Sequence, residues 1–277
     1  FSLYIENIFE LNYERNNVLN YELNDISAIL NSLKTDWVLL KGAANIKYEI
    51  YNNIGDRMIG DIDFLVQKNS AENIFNIFKK NGYKPLNENK FFNEHYRHLT
   101  RMVNPDKLFA IEIHKSLFNS NHKDLDKKLN LLEKRTATGN VFLSDLKKHA
   151  TYNIYNFQIN DGGYQKLNYS YKSYYDYYRS TLNFNKKYLN GHNSRVLNNY
   201  FLVAKELQVN ILGIKTLNNN FNNLRFRLKH KYILYRKLDN LFIDVLERLK
   251  YIPRQAKELF SNRSYVEYQM KKFFNYF

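Results

Sequence analysis

The sequence predicts an α+β protein, with a small mixed-sheet domain at residues 1–120 and an all-helical domain at residues 121–277. Two observations support this prediction. Short apolar runs with strand-like alternation occur in the first part, whereas apolar residues at helical spacing dominate the second. The charge also changes: residues 1–120 hold 14 Lys or Arg against 15 Asp or Glu, whereas residues 121–277 hold 28 against 12. The basic excess therefore belongs to the second part, as expected of a separate binding surface.

Helices and strands are predicted to alternate in the first part. Helical spacing over residues 3–16 and 21–34 indicates two helices ahead of a short buried strand at residues 37–40. Lys41-Gly42 follows this strand, where the next helix would begin. The further predicted elements are a strand at Asp61–Val66, a helix over residues 70–82, and a hairpin whose strands cover residues 95–103 and 108–114.

Three acidic residues lie on these predicted strands. Asp61 and Asp63 share one strand face, because side chains alternate along a strand. Glu112 and His114 share one face of the second hairpin strand for the same reason. If that strand lies beside Asp61 and Asp63, the three carboxylates converge.

The second part is predicted to be helical. Its helices lie near residues 125–132 and over residues 141–158, 171–189, 196–211 and 224–250, with a turn at Asp161-Gly162-Gly163.

Composition excludes several classes of site and location. The sequence contains no Cys, which excludes disulfides and thiolate metal sites, so a metal must bind to oxygen or nitrogen. No run of 18 or more apolar residues is present, and the first residues carry acids where a secretory signal carries bases. We therefore expect a cytoplasmic protein that does not enter a membrane.

The carboxylates suit a divalent metal. Asp61, Asp63 and Glu112 can together hold two Mg²⁺ or Mn²⁺ ions roughly 3.5–4 Å apart, the arrangement used for phosphoryl and nucleotidyl transfer. In that arrangement Glu112 could also help to remove the proton of an attacking hydroxyl. An Asp-x-Asp pair alone is more often a cap or a solvated edge, so the prediction depends on the third carboxylate.

Residues beside the acids suit phosphate. Gly42 would let backbone N–H groups approach a phosphate, and Lys41 would add a positive charge. Arg57 either clamps another phosphate or pairs with Asp56 or Asp61. Together these residues predict an NTP-binding site.

The same residues resemble the uncharacterised nucleotidyltransferases of the DNA polymerase beta-like superfamily, which are related to abortive-infection toxin nucleotidyltransferases. The resemblance implies that Asp61, Asp63 and Glu112 bind metal, and that Lys41 and Gly42 contact the triphosphate. Gly42-Ala43 differs from the Gly-Ser of many superfamily members, so a hydroxyl contact to phosphate is missing. The matching segments are Lys41-Gly42-Ala43, Arg57, Asp61–Val66 and Ile111-Glu112-Ile113-His114, with weaker similarity at His149 and Asp176.

Basic and aromatic residues interleave in the second part. Lysines, arginines and tyrosines alternate irregularly over residues 164–187, and a second basic run covers residues 225–231. Such interleaving is typical of surfaces that contact phosphates and stack bases, and it predicts an RNA partner, tRNA included. The alternative is that the tyrosines pack between helices and the lysines form a solvated face.

These predictions combine into one reaction. We expect transfer of a nucleoside monophosphate from an NTP to RNA, with Mg²⁺ or Mn²⁺ and release of pyrophosphate. Two alternatives stay open: nucleotidylation of a small molecule or a protein, and a catalytically inactive module that binds RNA or another partner. The toxin-like resemblance also allows for a protein partner such as a cognate antitoxin.

Overall fold

The chain folds as an α+β protein, which confirms the predicted fold class. A computed structural model describes residues 2–86, 96–182, 195–206 and 220–274. Strands and helices mix over the first 143 residues, and the described residues beyond them are helical or in turns. No helix within these ranges is both long and apolar enough to span a membrane.

The elements follow one another in the order helix, strand, helix through the first half. Up to the end of the sheet they are α1 (Ser2–Ser32), β1 (Trp37–Leu39), α2 (Lys41–Lys47), β2 (Asp61–Val66), α3 (Ala71–Lys80), β3 (Lys84–Pro85), β4 (Met102–Val103) and β5 (Ala110–His114). Then come α4 (Lys123–Leu129), β6 (Thr136–Thr138), β7 (Val141–Leu143), α5 (Leu146–Tyr155), a π-helix (Asn156–Asn160), α6 (Gly163–Lys166), α7 (Tyr171–Thr181), α8 (Arg195–Glu206), α9 (Asn220–Lys231), α10 (Ile233–Ser261) and α11 (Arg263–Phe274).

Five of the strands form a mixed sheet in the order β1-β2-β5-β4-β3. β2 pairs antiparallel with β1 and parallel with β5, and β4 lies antiparallel between β5 and β3. Because β2 and β5 are parallel, the chain must cross over between them, and α3, β3 and β4 make that crossover. In the parallel register Asp63 lies opposite Glu112, so the two side chains emerge side by side on one face.

The sheet separates two apolar cores. One face packs against α1 and α3, and the opposite face packs against α5, α7 and α8. The first core includes Leu23, Ile62, Phe64 and Phe78. The second core includes Val38, Leu40, Leu65, Tyr152 and Tyr200. The helical part therefore covers the sheet on the face that carries Asp63.

Two helix predictions gave the wrong number of helices. The two helices predicted ahead of β1 form one continuous helix, α1, in which the Asn16 side chain donates to the carbonyls of Ile54 at 2.6 Å and Arg57 at 2.7 Å. Tertiary hydrogen bonds thus satisfy a polar residue that could have ended a helix. The helix predicted over residues 224–250 is two helices, because Tyr232 is extended with φ −119° and ψ 115°. The segments 183–189 and 207–211, predicted as helix ends, lie outside the described residues.

The hairpin β6–β7 replaces the start of the helix predicted over residues 141–158, which begins at Leu146. Its Phe142 ring meets the Trp37 ring edge-on, with centroids 5.7 Å apart, and Asn31 donates to the carbonyl of Asn140 at 3.0 Å. Strands of three residues show too few alternations to be distinguished from a helix turn. The hairpin therefore belongs structurally with the sheet and its first core.

An ion pair joins the loop before β2 to helix α7. Arg57 contacts both carboxylate oxygens of Asp176, from Nε to Oδ1 at 3.0 Å and from Nη2 to Oδ2 at 3.1 Å. The Tyr51 hydroxyl donates to Asp176 Oδ1 at 2.7 Å. Arg57 and Asp176 are both buried. This contact fixes the helical part against the loop that leads into β2.

His149 makes a second link between the two parts. It is fully buried in α5, its Nε2 lies 3.0 Å from Asn45 Oδ1 in α2, and its ring lies 5.1 Å from the Tyr48 ring between centroids. Burial lowers the pKa of His149 to about 4. The imidazole is therefore neutral in the folded protein near pH 7.

Removing one member of the Arg57–Asp176 pair should destabilise the fold by about 3–5 kcal/mol, because a buried charge is left without a partner. Arg57→Met and Asp176→Leu should each show this loss in urea unfolding. The double variant should recover most of it, because apolar residues can replace a buried pair at little cost. Lys107→Met, which removes an exposed pair with Asp25, should change stability by less than about 1 kcal/mol. Additive losses in the double variant would contradict the assignment.

The stability of the protein should depend on pH through His149. The unfolded residue has a pKa of about 6.5 and the folded one about 4, so the unfolded state binds the proton first as the pH falls. The contribution is fully present above pH 6.5 and is lost by about pH 4, a difference of about 3 kcal/mol. Urea unfolding at a series of pH values should show a weaker dependence in His149→Gln over that window. The exposed His122→Gln should behave as wild type, and an unchanged dependence in His149→Gln would contradict the prediction.

Candidate functional site

Asp63 is the centre of a buried polar cluster on β2 and β5. Its Oδ1 accepts hydrogen bonds from Lys41 Nζ at 2.6 Å and from His114 Nε2 at 2.8 Å. Glu112 Oε2 lies 3.7 Å from Lys41 Nζ and 3.6 Å from His114 Nε2. The parallel register thus brings together two of the three predicted carboxylates, with one ammonium group between them.

Opposite charges keep these carboxylates ionised. Burial alone would raise the pKa of Asp63, but Lys41 and the hydrogen bond from His114 outweigh burial and hold that pKa well below its ordinary value. Burial also opposes ionisation of Glu112, yet the His114 hydrogen bond lowers the Glu112 pKa. For Lys41, burial lowers the pKa, but the charge of Asp63 raises it by more, so the net shift is upward. The cluster is therefore a set of fixed charges near neutral pH.

His114 acts as a hydrogen-bond donor to Asp63. Arg97 Nη1 lies 3.0 Å from His114 Nδ1, and a guanidinium can only donate, so Nδ1 must accept. The proton of the imidazole is then on Nε2 and points at Asp63. The structure thus shows His114 as a hydrogen-bonded neighbour of Asp63.

Asp61 stands apart from the cluster. Its Oδ1 accepts from Arg101 Nη2 at 2.7 Å. Burial and the nearby negative charge of Asp63 raise its pKa, and Arg101 opposes that shift. Asp61 and Asp63 share one face of β2, as predicted. The potential ligand atoms that lie close together, however, belong to Asp63, Glu112 and His114.

The turn from β1 into α2 brings Lys41 to the cluster. Lys41 has a φ of 50°, in the left-handed region that is unfavourable for residues other than Gly. A Cβ on Gly42 would lie 2.7 Å from Cδ1 of the buried Ile59, so the residue after Lys41 must be small for the turn to pack closely. This local geometry lets the Lys41 ammonium reach Asp63.

A cavity of about 400 Å³ lies between the sheet and the helices. Residues from both parts of the chain line it. The sheet side contributes Lys41, Gly42, Arg57, Ile59, Gly60, Asp61 and Asp63, and the helical side contributes Asn153, Asn156, Phe157, Asp161, Ser170, Lys172, Ser173 and Asp176. Glu112 is the one predicted site residue that does not line this cavity; it lies beside Asp63 on β5.

Arg57 lines the cavity with its guanidinium already engaged. The sequence offered Asp56 and Asp61 as partners of Arg57. In the structure its guanidinium contacts the carboxylate of Asp176 instead. The pairing could not be read from local sequence, because Arg57 and Asp176 are 119 residues apart. The signal available for Asp176 was the weak family similarity in the helical part.

The two carboxylates at Asp63 and Glu112 could hold a small divalent cation. A ligand atom of each lies within 4.8 Å of the other and of one on His114, whose Nε2 donates to Asp63 in this arrangement. Oxygen-rich sets suit Mg²⁺ or Mn²⁺. The contact between Lys41 and Asp63 shows that this position already stabilises positive charge.

The helical wall of the cavity was not predicted. Asn153 and Asn156 belong to a helix and a π-helix without any recognised motif, and the sequence indicates only a turn at Asp161. A π-helix occurs frequently at functional sites, but nothing in the residue pattern of 156–160 distinguishes it from an α-helix.

The predicted basic and aromatic surface is partly used for packing. Tyr174 and Tyr177 are buried in the second core. Arg225 and Lys229 both contact Asp239 in α10, at 2.7 Å and 3.1 Å. These residues follow the packing alternative. Lys186 and Lys187 lie outside the described residues.

Comparison with known proteins places the chain in a family. The sequence profile described as uncharacterised nucleotidyltransferase matches residues 2–150, and no curated protein matches significantly. The crystal structure of an antigenic nucleotidyltransferase-like protein from Paracoccidioides brasiliensis is similar at 15% identity, over 69% of this chain and 87% of that chain, with a TM-score of 0.44. The profile covers more than half of the sequence and includes Lys41, Asp61, Asp63 and Glu112. The chain therefore belongs to the uncharacterised nucleotidyltransferase family.

Proposed function

We propose that the chain transfers a nucleoside monophosphate from an NTP to an acceptor hydroxyl in the cavity between sheet and helices. The observation that carries this proposal is Asp63, held ionised between Lys41 and His114 at the edge of that cavity. Membership of the family supports transfer chemistry on an NTP. A cavity in which several polar groups converge beside apolar side chains, here Ile59 and Phe157, suits a small ligand.

Lys41 and its neighbours would receive the triphosphate. The Lys41 ammonium is a point charge on the cavity wall, and Gly42 lets a phosphate approach the backbone there. Arg57 is on the same wall, but its Nε and Nη2 contact Asp176 and its Nη1 donates to the Met58 carbonyl. Arg57 would therefore act on the phosphates mainly through its positive charge.

Asp61, Asp63 and Glu112 would hold the divalent metal. A bound Mg²⁺ or Mn²⁺ would neutralise negative charge on the phosphates and polarise the attacking hydroxyl, with either one ion or two in the site. His114 keeps Asp63 in one orientation, and Arg97 keeps His114 in one tautomer. Asp61 would exchange its contact with the half-exposed Arg101 for the metal.

The two sequence-defined domains would divide this work. Residues 1–120 provide the wall with Lys41, Arg57 and Asp63, and residues 121–277 provide the wall with Asn153, Asp161 and Lys172. In this division the first domain binds the nucleotide and the second binds the acceptor. The hairpin β6–β7 would belong to the first domain by its packing.

RNA, tRNA included, is the acceptor that the basic excess of residues 121–277 supports. A small molecule is a second candidate, and the cavity favours it. The space is compact, at about 400 Å³. Its lining combines the cations Lys41, Arg57 and Lys172 with the carboxylates of Asp61, Asp63, Asp161 and Asp176. Such a mixed lining suits a small polar acceptor better than a polyanion.

Labelled product should show both the reaction and the acceptor. The purified protein would be incubated with Mg²⁺ and each NTP labelled at the α-phosphate, together with total RNA, a protein extract or a small-molecule extract. We expect label in one fraction, with Asp63→Asn reducing its rate by roughly 100-fold or more, because the residue would contact the metal directly. Asp106→Asn, an exposed acid in a turn, should retain wild-type activity.

Each outcome decides a separate point. Label in RNA would support the first acceptor, and label in the small-molecule fraction the second. Equal activity of Asp63→Asn and wild type, with both folded by circular dichroism, would overturn the site assignment. Absence of label in every fraction with every NTP would favour an inactive module that binds RNA or a partner.

A further inference from the structure

Three of the four carboxylates that line the cavity are held by cations. These are Asp61 with Arg101 at 2.7 Å, Asp63 with Lys41 at 2.6 Å, and Asp176 with Arg57 at 3.0 Å. Within the part of the chain that the structure describes, Asp161 forms no ion pair. Asp161 lines the cavity, so its carboxylate is available there as an anion.

The backbone around Asp161 holds this carboxylate in place. Its N–H donates to the carbonyl of Asn156 at 3.1 Å, which closes the π-helix. Gly162 follows with a φ of 73°, a conformation that favours glycine. At Gly163 a Cβ would lie 2.8 Å from Cε1 of Phe157, so the turn also needs glycine for close packing. The Asn156 amide lies 3.5 Å from Asp161 Oδ2 and limits its rotation.

Asp161 is also able to accept a proton, because no cation is paired with its carboxylate among the described residues. Burial raises the pKa of Asp161, and the charge of Asp63 adds to that, while Lys41, Arg97 and Lys172 oppose it; the net shift is upward. Glu112, which the sequence suggested for proton removal, lies 3.7 Å from Lys41 Nζ and 3.6 Å from His114 Nε2 and does not line the cavity. Asp161 lines it from the opposite wall and is therefore better placed to take a proton there.

We propose that Asp161 is the catalytic base that takes the proton from the acceptor hydroxyl. The assignment rests on the proposed nucleotidyl transfer. Asp161 lies on the helical wall and is not one of the three carboxylates Asp61, Asp63 and Glu112. As the acceptor oxygen forms its bond to the α-phosphorus, its proton moves to the Asp161 carboxylate. The bond from the α-phosphorus to the bridging oxygen breaks, and pyrophosphate leaves with the electron pair. Asp161 then returns the proton to water.

The position of Asp161 also restricts the acceptor. A carboxylate acceptor has no proton to give near neutral pH, and the negative charge of Asp161 would repel both a carboxylate and a phosphate. A hydroxyl carried by a neutral or cationic group suits this wall, where Asn153, Ser170 and Ser173 add hydrogen-bonding groups. The geometry thus points to a sugar or alcohol hydroxyl as the group that is modified.

Asp161→Asn tests the proposal because it keeps the size of the side chain and removes its basicity. Initial rates would be measured with whichever fraction the wild-type protein labels, over the whole pH range in which the wild-type protein stays folded. NTP affinity would be measured by equilibrium dialysis with labelled NTP. We expect the rate constant to fall by about 100-fold or more, NTP affinity to stay within about twofold, and the decline of rate at low pH to disappear. That decline is expected in wild type because a protonated base cannot accept the proton.

Two further variants keep the result interpretable. Asp161→Glu should recover part of the rate, since it restores a carboxylate, and Asp124→Asn, an exposed acid in α4, should match wild type. Wild-type activity in Asp161→Asn would overturn the assignment alone, as would an equal loss at every pH or a parallel loss of NTP affinity. An inactive wild-type protein would instead overturn the proposed function, and the assignment with it.

Discussion

The parallel pairing of β2 with β5 is the constraint on which the site depends. It sets Asp63 directly beside Glu112, and two like charges in adjacent strand positions repel each other. Lys41 offsets this repulsion from between them, at 2.6 Å and 3.7 Å. The turn that positions Lys41 therefore serves the sheet as well as the chemistry. The repulsion between the two carboxylates costs stability, and the positive charge of Lys41 offsets that cost. Unfavourable local interactions that are compensated elsewhere are common at functional sites.

The helical part completes the site by contact with the loop ahead of β2. Arg57 and Asp176 form a buried two-point contact, and His149 meets Asn45 behind Lys41. A buried ion pair adds little net stability compared with apolar residues, but it defines one relative placement of the groups that it joins. The width of the cavity is thus determined by polar contacts of defined geometry, while the apolar second core supplies most of the attraction between the parts.

Features that depend on neighbouring residues could be predicted from the sequence, whereas contacts between distant residues could not. The alternation in Asp61–Val66 was enough to predict the strand and the face that Asp61 and Asp63 share, because strand periodicity is a property of neighbouring residues. The partner of Arg57 and the role of Asp161 could not be predicted, because each depends on residues that only the fold brings near. The hairpin β6–β7 was missed for a different reason: its strands are three residues long and show almost no period.

Because the sheet lies between two apolar cores, one of its faces stays uncovered while the chain is being synthesised. Val38, Leu40 and Leu65 emerge from the ribosome well before Tyr152 and Tyr200, which cover them in the finished protein. Until those residues arrive, one face of the nascent sheet remains exposed to water and to other chains, and exposed apolar surface promotes aggregation in folding intermediates. Completion of the sheet half therefore waits for translation of the helical half, and a chain whose synthesis ended between them would have an uncovered sheet.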